Sequence, residues 1–239
     1  MSDLIVLVPT RGRPDNLWQL WLAFTETCAA STLLVACVDD DDPELDAYRK
    51  VHAAACEQAP AGDGDARFLL LIGPRLRLGG TLNRYAPYWA TLAPNVGFMG
   101  DDHRPRTVGW DRQYIDALAQ LGTGIVYGND LIQGEALPTQ AAMTSDIILA
   151  TGHMLPPGLV HLWVDNAWLE LGRALGAIAY LPDVIVEHCH PIASKAAWDA
   201  GYAECNTDEL MDADRAVFEA WRANDLDRWV QQIKEYQRG

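Results

Sequence analysis

Five short runs place carboxylates, imidazoles and guanidinium groups close enough together to act as chemical sites. Phe98-Met99-Gly100-Asp101-Asp102-His103 ends in two acids and a histidine. Hard oxygen donors with one nitrogen suit Mg²⁺ or Mn²⁺ beside a diphosphate, although a polar turn has the same composition. Far along the chain, Val184-Ile185-Val186-Glu187-His188-Cys189-His190-Pro191 supplies two more imidazoles. In an extended segment His188 and His190 share one side, so either can complete a metal site. Val8-Pro9-Thr10-Arg11-Gly12-Arg13-Pro14 sets a hydroxyl, two guanidinium groups and a glycine ahead of a helix start. That is an anion cradle, or else a surface turn with solvated arginines.

The run Val38-Asp39-Asp40-Asp41-Asp42-Pro43 carries four consecutive acids. One is expected to cap the helix that starts near Pro43, which leaves the others free to read a ribose or base edge. The fifth run, His161-Leu162-Trp163-Val164-Asp165-Asn166-Ala167-Trp168, holds an acid between indoles. Asp165 or Asn166 fits a helix N-cap. In a pocket, a carboxylate beside apolar bulk is instead a general base, because desolvation raises its proton affinity. Trp163 and Trp168 can stack on a sugar or base, or simply pack in the core.

Several classes fall away. No GxGxxG follows the first strand and no GxxxxGK[ST] occurs, so dinucleotide enzymes and P-loop NTPases drop in rank. A phosphatase with an aspartyl nucleophile also needs Asp-x-Asp after a strand, but Pro43 stands where a hydroxyl residue is usual. Five cysteines without CxxC spacing fit a reducing compartment and buried apolar roles. No apolar run approaches the roughly 18 to 20 residues that span a bilayer, and no leader is recognisable. A soluble, cytoplasmic protein is expected, with no membrane partner. The net charge of −15, from 18 basic and 33 acidic residues, disfavours binding duplex DNA through its phosphates. Eight of those acids (Asp39, Asp40, Asp41, Asp42, Asp101, Asp102, Asp130 and Asp165) fall at expected strand ends or in the turn after the fifth strand. The charge therefore speaks less strongly against DNA than for a cation.

These runs need a scaffold that gathers them. The first 130 residues alternate short β-rich runs with amphipathic stretches, the pattern of a parallel sheet covered by helices. Strands are expected at Leu4 to Pro9, Leu33 to Asp39, Arg67 to Ile72, Val96 to Gly100 and Gly124 to Tyr127. Helices are expected from Pro14, from Pro43 to Glu57, Gly80 to Leu92 and Val108 to Leu121, with a surface turn at Pro60 to Asp65. Ligands of such sheets bind beyond the carboxyl ends of the strands, where four of the five runs would lie, the Asp165 run falling at a helix start. After Leu131 the pattern loosens to a helix from Asn166 to Gly176, a strand from Val184 to His188 and a polar helical tail from Thr207. Phe218, Trp221 and Trp229 give that tail one apolar stripe.

The order of VPTRGRP, VDDDDP, GGTLNRYA, FMGDDH, VDNAW and EHCHP with SKAAWD resembles glycosyltransferases of the GT-A fold. The similarity is to the inverting family 2 type and to small phage-encoded members, over about Leu4 to Tyr202. The resemblance implies an α/β fold: a Rossmann-like nucleotide-diphospho-sugar transferase sheet with helices on both faces and a C-terminal helical extension. Residues 1–205 would be the GT-A domain, with 1–103 binding the nucleotide-sugar and 104–205 the acceptor, and 206–239 the tail. Thr10, Arg11 and Arg13 would lie near the nucleotide and phosphates, Asp39 near the base or ribose, and Arg75, Gly80 and Asn83 along the same pocket. The acidic metal motif maps onto Asp101-Asp102-His103. Gly100 stands where the first acid of the usual Asp-x-Asp falls, which makes Asp102 the leading ligand and His103 the next. His188 or His190 would complete the Mn²⁺ or Mg²⁺ site, and Lys195 would neutralise the leaving diphosphate.

Asp165 matches the catalytic base of inverting members. The donor expected is a UDP-sugar and the acceptor a hydroxyl, on a hydroxymethylated pyrimidine of phage DNA, a protein or a glycan. Leu137 to Met154, with Trp163 and Trp168, would select it. If the chain is phage-encoded, its place is the host cytoplasm. Two other readings remain: a noncatalytic nucleotide-sugar-binding module, and a metallohydrolase built on Asp101, Asp102, His188 and His190.

Overall fold

A computed structural model describes residues 2–58, 65–190 and 200–238, the side chains of 200 and 201 excepted. The turn expected at Pro60 to Asp65 lies outside these residues up to Asp65, as do Lys195 and the SKAAWD run.

Eight strands form one sheet in the order β3-β2-β1-β4-β7-β6-β8-β5. The first half is a parallel α/β unit: β1 (Leu4–Thr10), α1 (Pro14–Thr27), β2 (Ser31–Asp39), α2 (Leu45–Glu57), β3 (Asp65–Gly73), α3 (Arg77–Ala90) and β4 (Asn95–Phe98). β1 pairs in parallel with β2 and β4, and β2 with β3. Apolar residues on both faces make β1 a central strand. Leu4, Val6 and Val8 enter the core beneath α1, whereas Ile5 and Leu7 enter the core on the opposite face.

The second half departs from the expected parallel order. After β4 come β5 (His103–Pro105), α4 (Trp110–Leu121), β6 (Ile125–Asn129), β7 (Ala141–Thr144), α5 (Ser145–Thr151), α6 (Val164–Leu175) and β8 (Ile178–His188). β7 lies antiparallel between β4 and β6, so the fifth expected strand is not β4's neighbour. A four-residue Ala-Ala-Met-Thr strand inside a Pro/Gly-rich passage carries little periodicity. β4 also ends at Phe98, not Gly100, which puts Gly100 to Asp102 in the turn to β5. β5 pairs antiparallel with β8 and sets His103 opposite His188. β8 begins six residues earlier than expected and runs parallel to β6.

Three helices close the chain: α7 (Ala200–Cys205), α8 (Asp208–Asn224) and α9 (Leu226–Tyr236). Phe218, Trp221, Trp229, Val230 and Ile233 join Met154, Trp168 and Leu171 in a single core cluster, so α8 and α9 help build one of the two cores. Among the described residues no helix is long and apolar enough to cross a membrane. All five cysteines are free.

Candidate active site

The carboxyl ends of β1, β2 and β4 open into a cavity of about 550 Å³ closed by the β5–β8 pair, the 161–165 segment and α7. At its β1 side a relay of hydrogen bonds sets the turn. The Arg13 backbone N–H donates to the Tyr48 hydroxyl at 2.8 Å, Tyr48 lies 2.9 Å from Thr10 Oγ1, and Thr10 donates to Asp101 Oδ2 at 2.6 Å. Arg13 Nη1 stands 3.5 Å from the other Asp101 oxygen. Asp101 is thus turned to the arginine side. Burial, with the charge of Asp102, raises it to about 6 against the pull of Arg13 and Thr10.

The four-acid run divides its labour. Asp39 and Asp41 both hold Arg11, Asp39 at 3.0 Å. Asp42 accepts the Gly12 N–H at 2.9 Å and the Glu44 N–H at 2.7 Å. Gly12 takes the left-handed φ of +67° that this turn needs, at little cost for a residue without a Cβ. The acid next to Pro43 therefore ties two turns together; α2 starts only at Leu45, and no side chain caps it.

Asp102, His103 and His188 form the cluster, among the described residues, whose donor atoms lie close enough to hold one metal ion, all within 4.8 Å of one another. The β5–β8 register is the reason. The two imidazoles face each other with centroids 4.3 Å apart and planes 16° from parallel. Asp102 Oδ2 lies 3.3 Å from His188 Nε2 and accepts the Tyr202 hydroxyl at 2.6 Å; Oδ1 lies 3.5 Å from His103 Nδ1. Burial disfavours the Asp102 carboxylate, but His103 and His188 outweigh it and hold it well below the usual carboxylate range. Burial likewise opposes the charged form of His188, yet Asp102, with Asp130 and Asp165, raises its proton affinity. Burial lowers His103, helped by His188.

A divalent cation fits this trio. His103 Nε2 is buried without a hydrogen-bond partner. With Nδ1 accepting the Gly100 N–H at 3.0 Å the neutral ring carries its proton on Nε2, and Nε2 ligates a cation in the other tautomer, whose Nδ1 proton faces Asp102 Oδ1 at 3.5 Å. A buried polar atom with unused capacity is costly, and it marks the place of a missing ligand. Of the metal candidates named from sequence, His190 stands apart from the trio. Its ring packs 5.0 Å from His188 and 4.8 Å from Tyr202 on the cavity wall.

Across the cavity, α6 begins at Val164 with Trp163 in the capping position, at φ +63° and without a side-chain cap. Neither Asp165 nor Asn166 is the N-cap; both lie inside the first turn. Asp165 lines the cavity, and no protein hydrogen bond reaches its carboxylate among the described residues. Burial pushes it up to about 7; His188 lowers and Asp130 raises it to smaller extents. The segment before it is clamped from two sides. Asp214 of α8, buried, accepts the backbone N–H groups of Val160, His161 and Leu162 at 2.7 to 2.9 Å. The Gly79 N–H donates to the Val160 carbonyl at 2.9 Å, and a Cβ at Gly79 would fall 1.9 Å from the Leu159 carbonyl oxygen. Trp163 stacks on Phe218 at 5.2 Å and shows an edge to the cavity, while Trp168 is core, its Nε1 donating to the Met154 carbonyl.

Arg75 and Arg77 reach the cavity from the turn before α3 and from its first residue; Gly80 and Asn83 do not line it. Asn83 is engaged inside the protein, donating to the Leu155 carbonyl and accepting from the Met154 and Leu155 N–H groups. Of the 137–154 stretch, Thr139 lines the cavity.

The sequence reading missed Arg77, Tyr202, Glu204 and Asp214. Arg77 has a signal, its place two residues after Arg75. The others sit among the many charges of the last 40 residues, and only tertiary packing brings them to the site. Asp130 was counted as an acid near the site; it cages a loop, accepting three backbone N–H groups and the Thr139 hydroxyl.

No protein-family model matches the chain, and no curated protein sequence matches it. Solved structures do. The mannosyltransferase PcManGT from Pyrobaculum calidifontis, in complex with GDP-Man and Mn²⁺, superimposes with a TM-score of 0.57 at 12% identity, covering 98% of this chain and 74% of that one. Residues 1–349 of TarS from S. aureus, in complex with UDP, give 0.55 at 11% identity over 100% of this chain and 92% of that one. A longer TarS structure gives 0.54 at 10% identity over 78% of this chain, which spans 36% of the TarS chain. At such identities the likeness shows architecture. The chain has the GT-A fold of nucleotide-diphospho-sugar transferases, an open curled sheet with helices on both faces.

Proposed function

We propose that the protein is a metal-dependent, inverting glycosyltransferase that moves a sugar from a nucleotide-diphospho-sugar to an acceptor hydroxyl. One observation carries this reading. The Asp102-His103-His188 cluster and a separate, partly desolvated carboxylate, Asp165, face the same cavity at the strand ends of a GT-A fold. That PcManGT is solved with GDP-Man and Mn²⁺, and TarS with UDP, supports the donor class.

In this mechanism Thr10, Arg11 and Arg13 bind the nucleotide and its phosphates, and Asp39 the ribose or base. Asp102, His103 and His188 hold Mn²⁺ or Mg²⁺, which when bound neutralises charge that grows on the departing diphosphate. Lys195 contributes to the same neutralisation. Asp165 accepts the acceptor hydroxyl's proton as that oxygen bonds to the anomeric carbon and the bond from this carbon to the diphosphate oxygen breaks. A base with proton affinity near neutrality suits that step at physiological pH. The trio acts most on charge present in the transition state, so it raises turnover more than ground-state binding. Trp163 presents its apolar edge to the acceptor, and a hydroxymethylated DNA base, a protein or a glycan are the acceptor classes to try.

The test is a melting-temperature panel of UDP, GDP, TDP and CMP sugars with and without Mn²⁺, followed by transfer assays with any donor that binds. A rise that needs both donor and Mn²⁺ is expected. Absence of any nucleotide-sugar effect, together with release of phosphate from simple phosphoesters, would replace this reading with a metallohydrolase.

A further inference from the structure

Two arginines on the cavity wall already hold an anion, and the anion belongs to the chain. Arg75 Nη2 donates to both carboxylate oxygens of Glu204 at 2.7 and 2.8 Å, and Arg77 Nη1 lies 2.5 Å from one of them. Glu204 is on α7, two residues after Tyr202, whose hydroxyl occupies Asp102 and whose ring lies 3.9 Å beneath the Arg13 guanidinium. One short helix thus engages a metal-site carboxylate and three arginines of a single cavity.

We propose that Arg75 and Arg77 form the subsite for the donor's diphosphate and that Glu204 competes with that anion for the pair. The inference deepens the nucleotide-sugar reading and rests on it for the identity of the anion. Three features carry it. A guanidinium fork binds phosphate oxygens in the same bidentate geometry as a carboxylate, so Glu204 is a chemical stand-in for the ligand. Arg75 Nε is buried and makes no hydrogen bond, with Asp39 3.7 Å away, so the pair retains donor capacity that one carboxylate does not use. Arg77 takes a left-handed φ of +61°, a conformation that non-glycine residues pay for and that recurs where a side chain must be aimed.

The competition is weighted so that a ligand can win. All three side chains are 29% to 42% exposed, and ion pairs bathed in water are weak and screened by salt. A diphosphate brings more charge and more acceptor oxygens than Glu204. Tyr202 on the same helix donates to Asp102, so a displacement of α7 would couple the arginine pair to the metal site. While α7 is docked, apparent affinity falls by the fraction of time the pair is free.

Inorganic pyrophosphate is the probe, titrated calorimetrically in EDTA against wild type, Glu204→Gln and Arg77→Gln, with melting curves confirming that each is folded. Glu204→Gln should bind pyrophosphate about tenfold more tightly than wild type, as expected if docking leaves the pair free about a tenth of the time. Arg77→Gln should bind more weakly than wild type. Equal or weaker pyrophosphate affinity in Glu204→Gln overturns the proposal, whatever nucleotides do. In a second arm UDP and GDP should gain from Glu204→Gln while uridine and guanosine do not. If pyrophosphate tightens but no nucleoside diphosphate binds, the subsite stands and the nucleotide-sugar reading falls.

Discussion

Asp214 Oδ2 accepts the Leu162 backbone N–H at 2.7 Å, which ties the C-terminal helix α8 to the segment that enters the cavity three residues before Asp165. The same carboxylate holds His161 and Val160, so one acid satisfies three donors of an otherwise irregular stretch. Removing it by Asp214→Ala orphans all three. The three bonds are partly buried and go to a charged group; one such bond is worth about 1.5 to 3 kcal/mol, so a loss of about 3 kcal/mol is expected. For a domain of this size that lowers Tm by roughly 6 to 12 °C, read by thermal denaturation. An unchanged Tm would show that water replaces the carboxylate and that α8 does not fix the segment.

Asp165→Asn separates the base from the fold. Turnover should fall by about 10²- to 10⁴-fold, the usual contribution of a positioned base, while donor binding stays within a factor of two or so of wild type. Wild-type kcat should rise with pH through about 7, because the carboxylate must lose its proton to act. Full turnover in the variant would remove the assignment.

The same residue has a stability signature. Its folded proton affinity, at about 7, lies above the ordinary carboxylate value of about 3.9. Between those values the folded state holds a proton that the unfolded chain has released, so this group's contribution to stability declines as pH rises through the window. Asn carries no such penalty. Asp165→Asn should therefore melt close to wild type near pH 4 and above it at pH 8, measured by calorimetry at both pH values. A constant difference would mean that the carboxylate is not desolvated.

Much of this site is legible before any fold is known, because strand ends carry it. Thr10, Arg13, Asp39, Asp102 and His188 follow short apolar runs, and in a parallel sheet such positions share one edge. What is not legible depends on contacts without a local signature. β5 has three residues, so its pairing with β8, which sets His103 against His188, is written only in tertiary structure. β7 has four and no alternation between polar and apolar residues. Asp214 reads as one more charge on a polar helix, yet it is 1% exposed. Asn83 shows the reverse: its motif reads as pocket-lining, but its amide finds backbone partners inside the fold.

The β5–β8 register also discriminates among the histidines. His188 shares the Asp102-His103 cluster, whereas His190 packs on Tyr202 at 4.8 Å. His188→Ala and Asp102→Asn should each weaken Mn²⁺ binding at least about tenfold, the smaller end of what even the hydrogen-bond partners of metal ligands contribute. His190→Ala should weaken Mn²⁺ binding less than either, since its ring packs beside His188 and Tyr202 and does not join the cluster. Titration of EDTA-stripped protein with Mn²⁺, followed by calorimetry, reads all three. Chelation should stop sugar transfer by wild type, and added Mn²⁺ or Mg²⁺ should restore it. If His190→Ala abolished Mn²⁺ binding while His188→Ala retained it, the metal would sit nearer the mouth of the cavity, against Tyr202, and the Asp102-His103-His188 assignment would fall.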